Sequence, residues 1–514
     1  MANKSIFKST PNVPQTDAVN VAGGSAYSLD AKHRLAQIAA TNCFNNVYYS
    51  SGEQLLNEAR NCVSQCDPEF IAKVALYSRD KAYLKDMPAF LVANLLARGE
   101  IGLASKIFNK VIDSGKMLRN LFQIGRSGQA GGRVNFSAQA KRKLIQQWFD
   151  SKSADFIFRG SIGNDPKFVD VIRAARPKLN DEKGELYKYL MGKEVNLESL
   201  PQVIQDLERF KKDNSTNAPS VDFRILSSLN LNDEHWKDIA RNASWHTARM
   251  NLNTFIRHNV FSDKKLIKLV ADKLRDEKEI KKSRVYPYQL LSAFVAADGA
   301  PHEIREAIQD AMEIAVSNIP SYGDVIVGVD VSGSMHSPIT GYSRGATTVV
   351  QCIDVASLFA SAILRSNKSA KIYPFTTEHH PVKLNPRDTV MTNTQILRRL
   401  PSGGTACSVP LKVANKENDK ADLVVVISDN CSWADAVNNG TATMVEWKKF
   451  KGRNKKAKLC LIDLQPYSTF QGVPSEDVLL VGGFSDQVFD VLNSFIQGGS
   501  SKDHWVGEIE KIEL

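Results

Sequence analysis

The sequence predicts a chain in two parts, a long array of short packed helices followed by a doubly wound α/β domain on a mostly parallel sheet. Three observations predict it. A chain of 514 residues exceeds what one hydrophobic core organises, so two bodies are expected. Strand-like Val-, Ile- and Leu-rich segments are missing before Val325, while apolar residues recur at helical spacing from Asp30 onward. After Ile319-Pro320-Ser321 the pattern changes to short β-branched runs separated by helical stretches, the signature of a doubly wound sheet.

Residues 1–25 are polar, with Pro11, Pro14 and Gly23-Gly24, and read as a loosely ordered lead-in. Helices then start at Asp30, Ser51, Asp67 and Met87, each at a cap residue or a first-turn proline. Further helices are expected at Lys141–Phe149, Pro166–Ala175, Leu200–Phe210, Asp233–Ala240, Ala248–His258 and Asp263–Leu274. No fixed period emerges, so residues 26–320 fit irregular HEAT-like repeats, each hairpin burying one face against the next. In residues 321–514, strands are expected at Val325–Val329, Ile372–Phe375, Leu423–Ile427, Leu459–Ile462 and Val478–Val481.

Net charge is +10, and its distribution says more than its sum. Residues 1–320 hold 46 Lys and Arg against 36 Asp and Glu, whereas residues 321–514 hold 20 of each. Within the first part, residues 101–180 carry 15 basic and 5 acidic side chains. A helix-borne basic surface of this kind is the usual footprint of a polyanion site, although solvated lysine faces give the same count. The candidate contacts for such a polyanion are Arg119, Arg126, Arg133, Lys141, Arg142, Lys143, Arg173, Arg176 and Lys178, with Arg249 and His258 farther on.

Arg126 and Arg133 flank Gly125, Gly128, Gly131 and Gly132, a segment that either cradles phosphates or only turns the chain between helices. It lacks the Gly-Lys-Ser/Thr ending and the preceding strand of a phosphate-binding loop, which argues against nucleotide hydrolysis. Lys141-Arg142-Lys143 precede Leu144, Ile145, Trp148 and Phe149 at core spacing, so the triplet is exposed and Trp148 is assigned to the core. Arg173 and Arg176 lie one turn apart, and His258 either joins the same surface or caps its helix.

Seven cysteines, an odd number without regular pairing, read as reduced thiols, and Cys62 and Cys66 lack the partners a zinc site needs. With no signal-like N-terminus and no spanning apolar run, a soluble cytoplasmic protein that engages no membrane is expected.

The α/β part carries Asp330-Val-Ser332-Gly-Ser334 directly after the strand Val325–Val329. One carboxylate and two hydroxyls on a turn past a strand offer hard oxygen ligands suited to Mg2+ or a similar cation. Pro401-Ser-Gly-Gly-Thr405 offers a further hydroxyl, and the strand Leu423–Ile427 leads into Ser428-Asp429. The set Asp330, Ser332, Ser334, Thr405 and Asp429 resembles the metal-ion-dependent adhesion site of von Willebrand factor A (vWA) domains in order and spacing. No hydrolase constellation accompanies it: His379-His380 has no partner at ligand spacing, and the serines are better explained as ligands than as nucleophiles. The chain is therefore not expected to be an enzyme.

Asp86-Met-Pro, Leu121-Phe-Gln-Ile-Gly-Arg-Ser-Gly-Gln-Ala-Gly-Gly-Arg133, Met250-Asn-Leu-Asn-Thr-Phe-Ile-Arg-His258 and Arg284-Val-Tyr-Pro-Tyr-Gln-Leu-Leu resemble the TROVE module of the Ro ribonucleoproteins, close to the bacterial members. The metal motif sits where that family places its vWA domain. The resemblance spans nearly the whole chain. It implies a ring of HEAT-like repeats closed by the vWA domain, with Mg2+ or Mn2+ as cofactor. Small noncoding Y-like RNAs would bind outside the ring and single-stranded 3′ ends of misfolded RNAs in its hole. It further implies an exoribonuclease partner, polynucleotide phosphorylase, and no DNA. One departure stands out: this chain reads Lys167-Phe-Val-Asp170 where many members have a Ser-His-Lys-Asp-like opening, which puts Phe168 in place of a polar RNA contact. The alternative function is a protein-interaction module whose metal grips a partner carboxylate beside a protein-binding solenoid.

Overall fold

The computed structural model describes residues 13–162, 167–177, 183–213, 218–219, 221, 223–226, 229–283, 285, 287–316, 319, 321–342, 350–435, 437, 439–483, 487–497 and 504–514. Two compact units emerge, one from Met1–Cys62 with Val316–Lys511 and the other from Val63–Ala315 with Ile512–Leu514.

Helices alone build the second unit among its described residues, from Pro68–Asp80 to His302–Val316. The sequence sets their starts. Asp67, Ser114, Ser153 and Ser244 each accept a backbone N–H of the first turn, satisfying donors that a helix start otherwise leaves open. Asp86–Ala97 packs against Pro68–Asp80, Ile101–Val111 and Gly115–Ser127, and it is buried from Met87 to Leu96, as the central helix of a repeat array must be. The expected helix Ala248–His258 is interrupted. It divides into Trp245–Met250 and Leu252–Arg257 at Asn251, whose side-chain amide donates to the Thr247 carbonyl at 2.8 Å and competes with the helical ladder.

The strands are β1 (Ala18–Val19), β2 (Ser25–Ser28), β3 (Val325–Asp330), β4 (Lys371–Phe375), β5 (Leu423–Ser428), β6 (Lys458–Asp463), β7 (Thr469–Phe470) and β8 (Val478–Gly482). Five form a parallel sheet in the order β4-β3-β5-β6-β8. β3 and β5 are buried at every position, which explains why they read as continuous apolar runs rather than alternating ones. The helix Cys352–Ser366, buried from Cys352 to Leu364, packs on β3. Val409–Lys416 also packs on β3, and it comes so close at Gly328 that a Cβ there would lie 2.5 Å from Pro410 Cγ. All five expected strands are present, each within two residues of its expected ends.

The boundaries at 25 and 320 divide the chain differently from the structure. Residues 13–62 belong with the α/β unit. β1, β2 and β7 form a small antiparallel sheet, with Tyr27 opposite Phe470. The Asn20 side chain accepts from the Ala22 and Gly24 amides and donates to the Ser432 carbonyl at 2.6 Å. A polar, glycine-containing segment is thus ordered by pairing with residues some 400 positions away, a partner that local sequence does not announce.

Candidate functional site

β3 ends at Asp330 beside the end of β5, so the carboxylates of Asp330 and Asp429 lie at the carboxyl edge of adjacent parallel strands. This edge is where open α/β sheets hold ligands. Beyond β3, the Val331 amide donates to the Phe375 carbonyl at 2.9 Å. The Ser332 amide donates to Asp330 Oδ1 at 2.8 Å, and Ser332 Oγ stands 3.3 Å from Ser334 Oγ. The Gly333 amide then donates to the Gly403 carbonyl at 2.9 Å, drawing the Pro401–Thr405 loop onto the turn. Thr405 is buried, and its carbonyl accepts the Trp433 and Ala434 amides at 3.1 Å. All five expected ligands are buried and gather at this edge through these bonds.

Charge is the unusual property of the edge. Burial, and then the neighbouring Asp429, push the Asp330 carboxyl above the usual carboxylate range. Burial pushes Asp429 up as well, opposed by the Ser334 hydroxyl and the Cys431 amide. Two like charges that both resist ionisation would be relieved by a cation. Asp429 Oδ2 is buried without a hydrogen-bond partner, a costly arrangement that a bound ion would satisfy. Among the described residues there is no group of three or more His, Cys, Asp or Glu side chains able to hold a metal. The donors here are two carboxylates and three hydroxyls, an all-oxygen set that fits Mg2+ or Mn2+ rather than zinc.

Three further residues belong to this edge and were missed in the sequence. Ser428 Oγ donates to Asp330 Oδ2 at 2.5 Å, holding the carboxylate in place. Asp463, at the end of β6 and register partner of Ser428, is buried, accepts from the Gln37 side chain, and is pushed up by burial. Its signal was available, because Leu-Cys-Leu-Ile-Asp463 repeats the pattern of an apolar run followed by aspartate. Tyr49 had no such signal. Its amide donates to the Tyr467 hydroxyl at 3.3 Å, and the two rings meet edge to face at 5.8 Å. Its own hydroxyl has a hydrogen-bonding contact with Ser334, and burial and the Asp429 charge push it up to about 12.

The basic candidates separate into exposed and buried groups. Arg126, Arg133, Lys143, Arg173 and Arg176 are exposed, and Lys141 and Arg142 half-buried. Gln146 donates to the Ala175 and Arg176 carbonyls at 2.8 and 3.2 Å, so the helix Gln139–Asp150 meets the end of Phe168–Ala175. Arg142 and Lys143 lie one turn before Gln146, which sets them on the same side as the Arg173 and Arg176 turn. Arg126 lies 5.4 Å from the Phe122 ring centroid, beside Arg133 where that side chain crosses Gly128.

Two expectations need correction. Arg119 is buried and donates to the Ile162 carbonyl at 2.6 Å, so it ties its helix to the segment that follows Ala154–Gly160 instead of meeting phosphate. Arg249 is buried over the Trp245 ring at 5.7 Å and offers no exposed charge. His258 is half-buried and stacks on Trp236 at 4.4 Å, and Lys178 lies outside the described residues.

The glycine segment turns the chain. Gly128 and Gly131 have φ of +78° and +96°, the Val134 amide returns to the Gly125 carbonyl at 2.9 Å, and Asn94 fixes the Ala130 carbonyl at 2.9 Å. Trp148 is core, its indole N–H donating to the Ile112 carbonyl at 2.5 Å. Phe168 is core too, set edge to face against Phe149 at 5.7 Å.

A helical repeat unit and a doubly wound unit with an oxygen-lined strand edge define a repeat protein bearing a vWA domain. Residues 324–496 match the family model of the Ro60 vWA domain. Over 95% of its length the chain is 23% identical to the RNA-binding protein RO60 of Deinococcus radiodurans, covering 98% of that protein. It is 26% identical to the RNA-binding protein RO60 of Caenorhabditis elegans over 46% of this chain and 38% of that one. The crystal structure of the Deinococcus radiodurans RO (RSR) protein superposes with a TM-score of 0.62 at 18% identity, covering 91% of this chain and 100% of that one. The chain thus resembles the Ro proteins over nearly its whole length, as its motifs indicate. These relatives are named for RNA binding and not for catalysis.

Proposed function

We propose that this chain is an RNA-binding scaffold of the Ro type. The observation that carries the reading is the basic surface formed by the exposed Lys143, Arg173 and Arg176 with the half-buried Arg142 in a chain whose relatives are named RNA-binding proteins. Its ligands would be small noncoding Y-like RNA and single-stranded 3′ ends of misfolded RNA, presented for quality control or for an exoribonuclease such as polynucleotide phosphorylase. Phe168, committed to the core, gives no polar contact, so Y-like RNA would rely on the flanking arginines. Since none of the seven cysteines is in a disulfide, a reducing cytoplasm suits the chain.

Asp330, Ser332, Ser334, Thr405 and Asp429 would hold Mg2+ or Mn2+, and the cation would neutralise the paired carboxylates and offer an open position to a carboxylate. This chain's own part is positional: Ser428 and the Ser332 amide orient Asp330, and burial excludes bulk water from both aspartates. No nucleophile and base are assembled there, and the protein alone should leave RNA intact. The test is binding of labelled RNA carrying a free single-stranded 3′ end against the same RNA blunt-ended. Preference for the free end supports the reading, and equal affinity removes 3′-end binding in a central hole from it.

A further inference from the structure

The charge of the α/β part balances over residues 321–514, and that balance conceals a local excess. From Glu446 to Lys456 the chain reads Glu-Trp-Lys-Lys-Phe-Lys-Gly-Arg-Asn-Lys-Lys, six cations against one acid. Most of this stretch is the helix Ala442–Arg453. Beside it lies a groove of about 440 Å³, lined by Met444, Trp447, Lys448, Lys451, Gly452 and Lys455, and closed by Val478 and Val13-Pro14. The far wall is fixed, because the Tyr27 hydroxyl donates to the Pro14 carbonyl at 2.7 Å. Met444, Lys448 and Lys451 follow one another at spacings of four and three, a stripe along the helix, and Lys455 lies on the turn just beyond it.

Two of these cations are in ion pairs and a third is held by a neutral side chain. Lys449 pairs with Glu446 at 2.7 Å and Lys451 with Asp477 at 2.8 Å, while Arg453 donates to Asn415 Oδ1 at 2.7 Å. Lys455 and Lys456 are exposed, and neither makes an ion pair among the described residues. A Cβ on Gly452 would meet nothing within 4 Å, so the groove is open above the helix backbone. Its floor is apolar: Val478 and Trp447 are buried to 2% and 4% exposure, and Trp447 packs against Phe450.

We propose that this groove binds an acidic peptide segment with an aliphatic anchor, the anchor on the Met444–Val478 floor and its carboxylates on the rim at Lys455, next to Lys456. Charge complementarity selects the acid. The floor selects peptide over nucleic acid, because single-stranded RNA is held through exposed aromatic faces on which bases stack. The aromatic here is buried and the accessible floor aliphatic, which suits a leucine or isoleucine side chain. The surface is distinct from the basic surface of the helical unit, so the chain could hold RNA and an acidic protein segment at once.

The test is fluorescence anisotropy of the full chain with a labelled eight-residue peptide of glutamate and aspartate carrying two leucines. Polyglutamate of equal length and a ten-nucleotide oligouridylate serve as competitors. Gly452→Leu fills the groove without changing charge and replaces a helical glycine, so folding is retained. It should weaken peptide binding about tenfold or more, as exclusion of a leucine side chain from the floor predicts. Lys455→Glu with Lys456→Glu should weaken it comparably, polyglutamate should compete about tenfold less well, and oligouridylate should not displace the peptide. Absence of peptide binding, or binding indifferent to both variants, overturns the proposal. Displacement by oligouridylate with the same sensitivity to the variants assigns the groove to RNA and overturns it equally. None of these results bears on RNA binding at Arg142 and Arg173, which Gly452→Leu leaves untouched.

Discussion

Replacing Asp429 by asparagine should stabilise the metal-free protein and abolish its response to Mg2+. The substitution is nearly isosteric and retains Oδ1, which accepts the Cys431 amide at 3.3 Å. It removes a buried charge whose Oδ2 has no hydrogen-bond partner and which opposes ionisation of Asp330. In wild type, Mg2+ at a hundred times its dissociation constant adds about 2.7 kcal/mol to the folded state. For a unit of roughly 260 residues this is about 5–10 °C in Tm. The pH dependence has a definite sign. Both carboxyl pKa values are raised in the folded state, so without metal these groups favour folding below the ordinary carboxylate pKa, and that contribution is lost as pH rises through the folded values. Mg2+ needs the ionised pair, so its stabilisation should grow over the same rise in pH and vanish on acidification. Differential scanning calorimetry of wild type and Asp429→Asn, each with EDTA and with Mg2+, reads all of this. A variant that is less stable without metal, or still gains Tm with Mg2+, would refute the reasoning.

Charge reversal at Lys141, Arg142, Arg173 and Arg176 should weaken RNA binding across sequences and flatten the plot of log affinity against log salt, by about 0.7 for each phosphate no longer neutralised; filter binding from low to moderate salt measures it. Arg119→Met should instead leave the salt slope unchanged and cost about 1.5–3 kcal/mol in urea unfolding, since its role is a buried hydrogen bond to the Ile162 carbonyl. Gly328→Ala should destabilise by about 1–3 kcal/mol through overlap with Pro410, lowering the urea midpoint. Labelled single-stranded RNA incubated with the purified protein and Mg2+ should stay intact on a denaturing gel. Cleavage that disappears in Asp330→Ala would make the strand edge catalytic.

What could be read from the sequence follows from how far apart the determining residues lie. The five parallel strands were legible because strands buried on both faces must be apolar throughout, and β3 and β5 are. That Asp330, Ser332, Ser334, Thr405 and Asp429 gather at one edge was legible because hydroxyls and carboxylates just past strand ends are local patterns. What escaped depends on distant contacts. Residues 13–28 look like a polar lead-in until β2 pairs with β7, and Tyr49 gains meaning only beside Tyr467 and Ser334. Charge counts failed in both directions for one physical reason. A sum over residues does not distinguish a guanidinium that bonds a carbonyl in the core, as Arg119 does, from one in solvent, as Arg173 is. Nor does a balanced total over a domain reveal that six cations cluster between Lys448 and Lys456 while three of its acids, Asp330, Asp429 and Asp463, are buried at a strand edge. The same segregation gives the α/β unit two surfaces of opposite character. If the proposed cation site at that edge and the proposed anionic partner of the helix Ala442–Arg453 are both correct, a metal chelator and a rise in salt should act on different partners of this protein.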